Sequence, residues 1–213
     1  MFGRKTALSG ARERIREKRQ DTGGALHLTS GIIAGTLVAT PRGWRRVETL
    51  EPGDRVLTFD NGMQEVTRVD RQVVWTGEAH CPRDFWAVDV PAEMIGNDAP
   101  VRLLPGQALM VESDEAEMLY GDAFVVIPAR ALADVPGVER SPIDGRVTSV
   151  VLRFASEEVV FSKSGALYLC AASRDFLDFD ANDGGYEVLP DTLARDVIAA
   201  MAPGEAPLRQ PAA

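Results

Sequence analysis

The sequence predicts an all-β fold, a single domain with short helical and disordered tails, and three observations carry that expectation. Turn-forming clusters at 40–43, Pro52-Gly53 and Asn61-Gly62 recur about every 8–12 residues, the spacing of short strands in a sandwich or closed β architecture. The stretches between them are rich in β-branched residues, which suit a pleated, half-covered surface. No strand pattern alternates with a long helical pattern, as βαβ units would require.

Taken in order, residues 29–40 read TSGIIAGTLVAT and suit two strand pieces joined by a bend at glycine. The turn 40–43 reverses the chain into an extended segment from Trp44, so a hairpin is expected. Pro52-Gly53 turns into a strand at residues 55–59, and Asn61-Gly62 has the chemistry of a type I′ hairpin turn. One strand is expected over residues 64–75, followed by an irregular stretch over 76–84 and strand character over 85–90. Residues 91–97 suggest a helical turn. Residues 101–112 read as strand, turn, strand around Pro105-Gly106. The acidic residues 115–120 read as a turn or hairpin tip, 124–127 as a buried strand ending at Pro128, and 129–133 as one helical turn. Strands over 147–154 and 159–161, joined by a hairpin connection at 155–158, close the β pattern. Residues 190–201 have helical spacing, with Leu193, Val197 and Met201 on one stripe and Asp191 as N-cap.

With 213 residues and 45% hydrophobic residues, the chain is long enough to bury one sizeable core. Its net charge of −9 repels phosphate backbones, which argues against nucleic acid as a partner. Arg4, Lys5, Arg12, Arg14, Arg16, Lys18 and Arg19 gather in a basic arm, residues 1–28, with a short helix expected over 11–20. No apolar stretch of a secretory signal follows the arm, and no run of about 18 apolar residues marks a membrane span. Cytoplasmic residence is therefore the default expectation. Residues 29–174 form the expected β domain. Residues 175–213 hold Asp175, Asp178, Asp180, Asp183 and Gly184-Gly185, then the short helix and a tail from 203.

Metal and cofactor chemistry have little support. Cys81 and Cys170 with His27 and His80 do not make a zinc set, and Cys170 reads as a buried small hydrophobe. The acidic clusters Glu112, Asp114, Glu115, Glu117 and 175–183 lack a calcium-loop spacing. Trp44, Trp75 and Trp86 read as core or rim packing. No cofactor and no metal are expected.

The segment GTLVATPRGWRRVETLEPGDRVLTFDNGMQEV, residues 35–66, resembles the opening block of Hint (hedgehog/intein) domains, closest to a bacterial subgroup. Gly35-Thr36, Thr40, Gly43, Val47-Glu48, Leu50, Pro52-Gly53-Asp54 and Val56-Leu57 fall in register. Looser matches run through Pro105, Ile127-Pro128-Ala129 and 158–161 before Gly165, so the resemblance covers about residues 30–172. It implies a horseshoe-shaped, pseudo-symmetric β domain.

In that family, self-cleavage begins with a Cys or Ser just before the Gly-Thr pair, which attacks the preceding carbonyl. The register puts this position at Gly31, which has no side chain. A family histidine that assists at the scissile amide falls at Gln107, and a further one before the last strands falls at Glu157. A Gln amide moves no proton near neutral pH. The resemblance therefore implies a degenerate domain without the acyl shift, a scaffold or protein-binding module with a protein or peptide partner. The alternative is autoprocessing near Ser30, whose hydroxyl stands beside the vacated position. A third expectation is capture of a peptide in trans by strand addition.

Overall fold

The computed structural model describes residues 29–76, 80–173 and 185–201. The basic arm with its expected helix, His27, the aspartates 175–183 with Gly184, and the tail from 203 lie outside the described residues. Within them the chain is a β protein with few short helices, as the sequence predicts.

β1 (Ile32–Ile33) bends at Gly35 into β2 (Leu37–Thr40), which pairs with β3 (Gly43–Arg46). Gly43 takes φ +93°, which a glycine adopts freely. The Thr40 hydroxyl donates to Gly43 O at 2.7 Å and accepts the Arg42 N–H at 3.3 Å, pinning the turn. A 3-10 turn at Val47–Thr49 leads into the Pro52-Gly53 turn and β4 (Arg55–Thr58). The motif residues bond one another: Gly35 N–H donates to Glu48 Oε2 at 2.7 Å, and Val47 N–H to Thr36 O at 2.8 Å. Asp54 accepts the Glu51 N–H at 2.9 Å and pairs with Arg45 at 2.8 Å. The Glu51 hydrogen bond, with help from Arg45 and against the burial penalty, holds the Asp54 carboxyl below its usual range. The Gly-Thr and Val-Glu tokens thus bond each other, while Asp54 of the Pro-Gly-Asp token ties to Glu51 and Arg45.

β5 (Gly62–Glu65) pairs with β4, and β6 (Arg68–Trp75) follows. The expected single strand over 64–75 is two. Val66 is fully buried and its N–H bonds back to Asp54 O, so the chain turns there and β6 enters a different sheet. The β4–β5 turn is not type I′: of Asn61 and Gly62 only Gly62 has positive φ, and three residues separate the paired Thr58 and Gly62.

Beyond a 3-10 turn at Arg83–Phe85, β7 (Ala87–Val90) starts two residues later than expected. Residues 91–97 form turns and no helix. The buried Asn97 organises them, its Nδ2 donating to Pro91 O and Ala99 O while its Oδ1 accepts the Ile95 N–H. β8 (Val101–Leu103) and β9 (Ala108–Glu112) flank the Pro105-Gly106 turn. The acidic stretch 115–120 is helical, not a hairpin tip: α1 (Asp114–Tyr120) is capped by Ser113 Oγ accepting the Ala116 N–H and ends at left-handed Gly121. That Ser cap and Gly stop are a helix signal that acidity alone conceals.

β10 (Phe124–Pro128) runs into a 3-10 turn at Ala129–Asp134. β11 (Glu139–Ser141), β12 (Val147–Arg153), β13 (Glu158–Phe161) and β14 (Leu167–Cys170) complete the strands. β12 and β13 are not a hairpin. β12 lies between β1 and β6 in a three-stranded sheet, whereas β13 lies between β14 and β4 in the six-stranded order β10-β9-β14-β13-β4-β5. β14 and β11 were not expected as strands. In α2 (Asp191–Met201) Asp191 is the first helical residue rather than the N-cap, and its carboxylate takes a two-pronged bond from Arg130 at 2.6 and 2.8 Å.

One main core joins both halves of the β structure, from Ile32, Val38 and Leu50 through Leu109, Ile127 and Leu152 to Ala194, Val197 and Ile198 of α2. Trp75 and Trp86 pack against a smaller cluster around Leu104 and Cys81, while Trp44 is 48% exposed and packs in no core. No described helix is long and apolar enough to cross a membrane.

Candidate functional site

A cleft of about 170 Å³ opens where β1, the β8–β9 turn, β12 and β14 converge. Ser30 with Gly31, Gln107 and Glu157, three places far apart in sequence, all line it. The tertiary fold therefore brings the family-register positions 31, 107 and 157 and Ser30 to one cleft.

The entering chain is held by its backbone. Gly106 N–H donates to Thr29 O at 2.9 Å. Gly31 N–H donates to Gln107 Oε1 at 3.0 Å, and Gln107 Nε2 donates to Ala108 O at 2.7 Å and Leu169 O at 3.1 Å. Gln107 is buried, and its amide, both donor and acceptor, joins three segments: the incoming chain, β9 and β14. Its position follows from the Pro105-Gly106 turn, which aims the next side chain inward.

Gly31 has φ +102°, and a Cβ there would stand 3.1 Å from Val151 Cγ2 and 3.2 Å from both Ser149 Cβ and Ser149 Oγ. The space beside its α-carbon is thus already filled from β12. Ser149 Oγ is the one buried side-chain polar atom without a hydrogen-bond partner among the described residues.

Glu157 and Glu158 point to different surroundings because they are adjacent on an extended segment. The Glu157 carboxylate lies at the cleft, packed so closely on Gly185 that a Cβ on that glycine would overlap it. Glu158 is buried, accepting Asn61 Nδ2 at 3.1 Å on each oxygen and the Ser156 hydroxyl at 2.9 Å.

Sequence reasoning missed Cys170 as a cleft residue. Alternation along Leu-Tyr-Leu-Cys was the available signal, because it puts Tyr168 and Cys170 on the buried face of β14. Burial, with a smaller contribution from Glu158, pushes the Cys170 thiol up to about 12. At neutral pH it is a protonated hydrophobe with almost no thiolate. His80 is exposed and outside the cleft, and no group of His, Cys, Asp and Glu among the described residues could hold a metal ion.

What the cleft presents is one hydroxyl at Ser30, one carboxylate at Glu157, one amide at Gln107 and a protonated thiol. That set includes one amide, Gln107, already bonded to three backbone groups. It contains no imidazole and no low-pKa thiol.

No curated protein matches the chain. Among solved structures it is similar to a bacterial intein-like domain from Clostridium thermocellum, at 13% identity over 65% of this chain and 97% of that one with a TM-score of 0.42. It is also similar to the MchDnaB-1 intein with an N145AA change, at 16% identity over 67% of this chain and 100% of that one with a TM-score of 0.36. The gp41-1 intein aligns at 12% identity over 66% of this chain and 98% of that one, with a TM-score of 0.35. The family model of the Hint domain matches residues 31–167, well over half of the chain. Beginning at the glycine that lines the cleft and ending at the first residue of β14, that match covers the motif residues 35–57 and most of the cleft's lining, and the chain belongs to the Hint domain family.

Proposed function

We propose that this chain is a Hint domain without acyl-shift chemistry, which holds the polypeptide entering its cleft and works as a scaffold or protein-binding module. The observation that carries the reading is Gly31. Its positive-φ backbone, and Ser149 and Val151 standing 3.1–3.2 Å from where its Cβ would be, weigh against a nucleophilic side chain there. Gln107 supports the same reading, since its amide bonds three backbone groups and titrates nothing. In this role residues 1–28 are an arm delivered to the cleft, residues 29–174 are the holding domain, and residues 175–213 are an appended acidic segment, helix and tail.

The test is the intact mass of the purified protein after incubation at neutral pH, with and without a thiol or hydroxylamine. The expected result is an unchanged mass of 23.1 kDa. A second reading, autoprocessing at Ser30, is favoured by one contact: the Thr29 carbonyl already accepts the Gly106 N–H, which polarises the carbon that Ser30 Oγ would attack. In that reaction the Thr29–Ser30 C–N bond breaks, an ester to Ser30 Oγ forms, and the hydroxyl proton passes to the freed amine. Water then releases residues 1–29 as a carboxylic acid. A fragment ending at Thr29, abolished by Ser30→Ala, overturns the holding role.

A further inference from the structure

Four large apolar side chains are exposed among the described residues: Trp44, Val73, Met118 and Leu119. Trp44 sits on the β2–β3 hairpin with Arg42, Arg45 and Arg46, and Val73 stands alone on β6. Met118 and Leu119 are different. They are adjacent, 75% and 56% exposed, and lie on α1 among the exposed carboxylates of Glu112, Asp114, Glu117 and Asp122. Asp114, Glu117 and Met118 share one helix face by their i, i+3, i+4 spacing. The inner face of α1 is already occupied by buried Ala116.

An apolar pair ringed by carboxylates fits a basic amphipathic segment, and this chain carries one. Residues 1–28 hold seven Lys and Arg against three Asp and Glu, whereas the remaining residues hold 16 against 29. Leu8 and Ile15 stand among those cations. Reach is sufficient. Thr29 is anchored to Gly106, and the run from Gly106 along β9 to Ser113 spans at most about 25 Å, while residues 19–29 extended span about 33 Å.

We infer that the exposed face of α1, centred on Met118 and Leu119, is the docking surface for this chain's own basic segment, residues 8–19. Arginines meet Asp114, Glu117 and Asp122 there, while Leu8 and Ile15 cover Met118 and Leu119. The contact folds the arm back along β9 and fixes the direction in which the chain leaves the cleft.

The experiment places a nitroxide on the full-length protein at Ser9→Cys; Cys81 and Cys170 are buried and do not compete for the label. Amide resonances of residues 112–122 are read by NMR, with the melting temperature as a control for folding. The expected result is selective broadening of those amides at low salt. It is lost at about 1 M salt, where screening acts within about 3 Å, and lost in the surface variants Glu117→Lys and Met118→Ser, with melting unchanged. Sharp α1 amides at low salt overturn the inference, as does broadening that survives both variants. Mixing labelled unenriched protein with unlabelled ¹⁵N protein separates the occupants: broadening in the mixture assigns the surface to a second copy and overturns docking within one chain.

Discussion

Replacing Gly31 by alanine tests directly whether its environment excludes a side chain. At φ +102° a residue with a Cβ is strained by about 1–3 kcal/mol. The new methyl also meets Val151 and Ser149 at 3.1–3.2 Å, and β12 cannot retreat freely because it is paired on both edges, to β1 and β6. Crowding of that kind costs about 1–3 kcal/mol. The reduced freedom of the unfolded chain returns about 0.4–1 kcal/mol. The expected net loss is about 1–5 kcal/mol, centred near 3, read by urea denaturation with an unchanged slope, and a melting temperature lower by about 2–20 °C for a chain of this size. Gly31→Cys carries the same cost and yields no cleavage products by mass, because the thiol enters a site lined by Gln107 and Glu157, neither of which is an imidazole. A Gly31→Ala variant as stable as the wild type to within about 0.5 kcal/mol, or a Gly31→Cys variant that cleaves itself, would refute the reasoning.

Three other outcomes follow from the same contacts. Gln107→Leu strips the partner from the buried Gly31 N–H and from two carbonyls, so a loss of about 2–4 kcal/mol is expected, with the Gly31 amide losing hydrogen-exchange protection first. Burial holds the Tyr168 hydroxyl up at about 12 against an ordinary 10.0; this raised folded value stabilises fully below pH 10 and is lost as pH climbs from 10 to 12. Alkaline titration in that window therefore removes about 3 kcal/mol, to which Cys170 adds in the same direction, and a flat stability profile from pH 9 to 12 would contradict it. Asp191→Ala breaks the two-pronged bond to Arg130 at a half-exposed site, lowering stability by about 0.5–1 kcal/mol and raising exchange at the start of α2 more than in β9.

Much of this protein is legible in its sequence because the informative residues act locally. Turn residues at 41–43, 52–53 and 105–106 set reversals that depend on their own φ preferences and nearest hydrogen bonds, so the strands flanking them are found where expected. The register of Gly35-Thr36, Val47-Glu48 and Pro52-Gly53-Asp54 is readable for the same reason, since their bonds go to one another or to residues within about twenty positions. Even the pairing of Gly31, Gln107 and Glu157 is visible as a set of positions.

What the sequence could not determine was which strand pairs with which, and what each cleft residue touches. The division of residues 64–75 into strands of two sheets, and the separation of β12 from β13, depend on burial of Val66 and on partners up to a hundred positions away. The helix at 114–120 was hidden because its charge pattern resembles a solvated turn, while the Ser113 cap acts only once β9 and β10 fix the ends. Ser149 filling the space beside Gly31, and Cys170 buried at the cleft, arise only when β12 and β14 converge on β1 and the β8–β9 turn. Local chemistry is written in neighbouring residues and determined the turns, the motif network and the family. Non-local packing is a property of the closed core, so only the tertiary structure decided what surrounds the cleft and what a side chain at position 31 would meet.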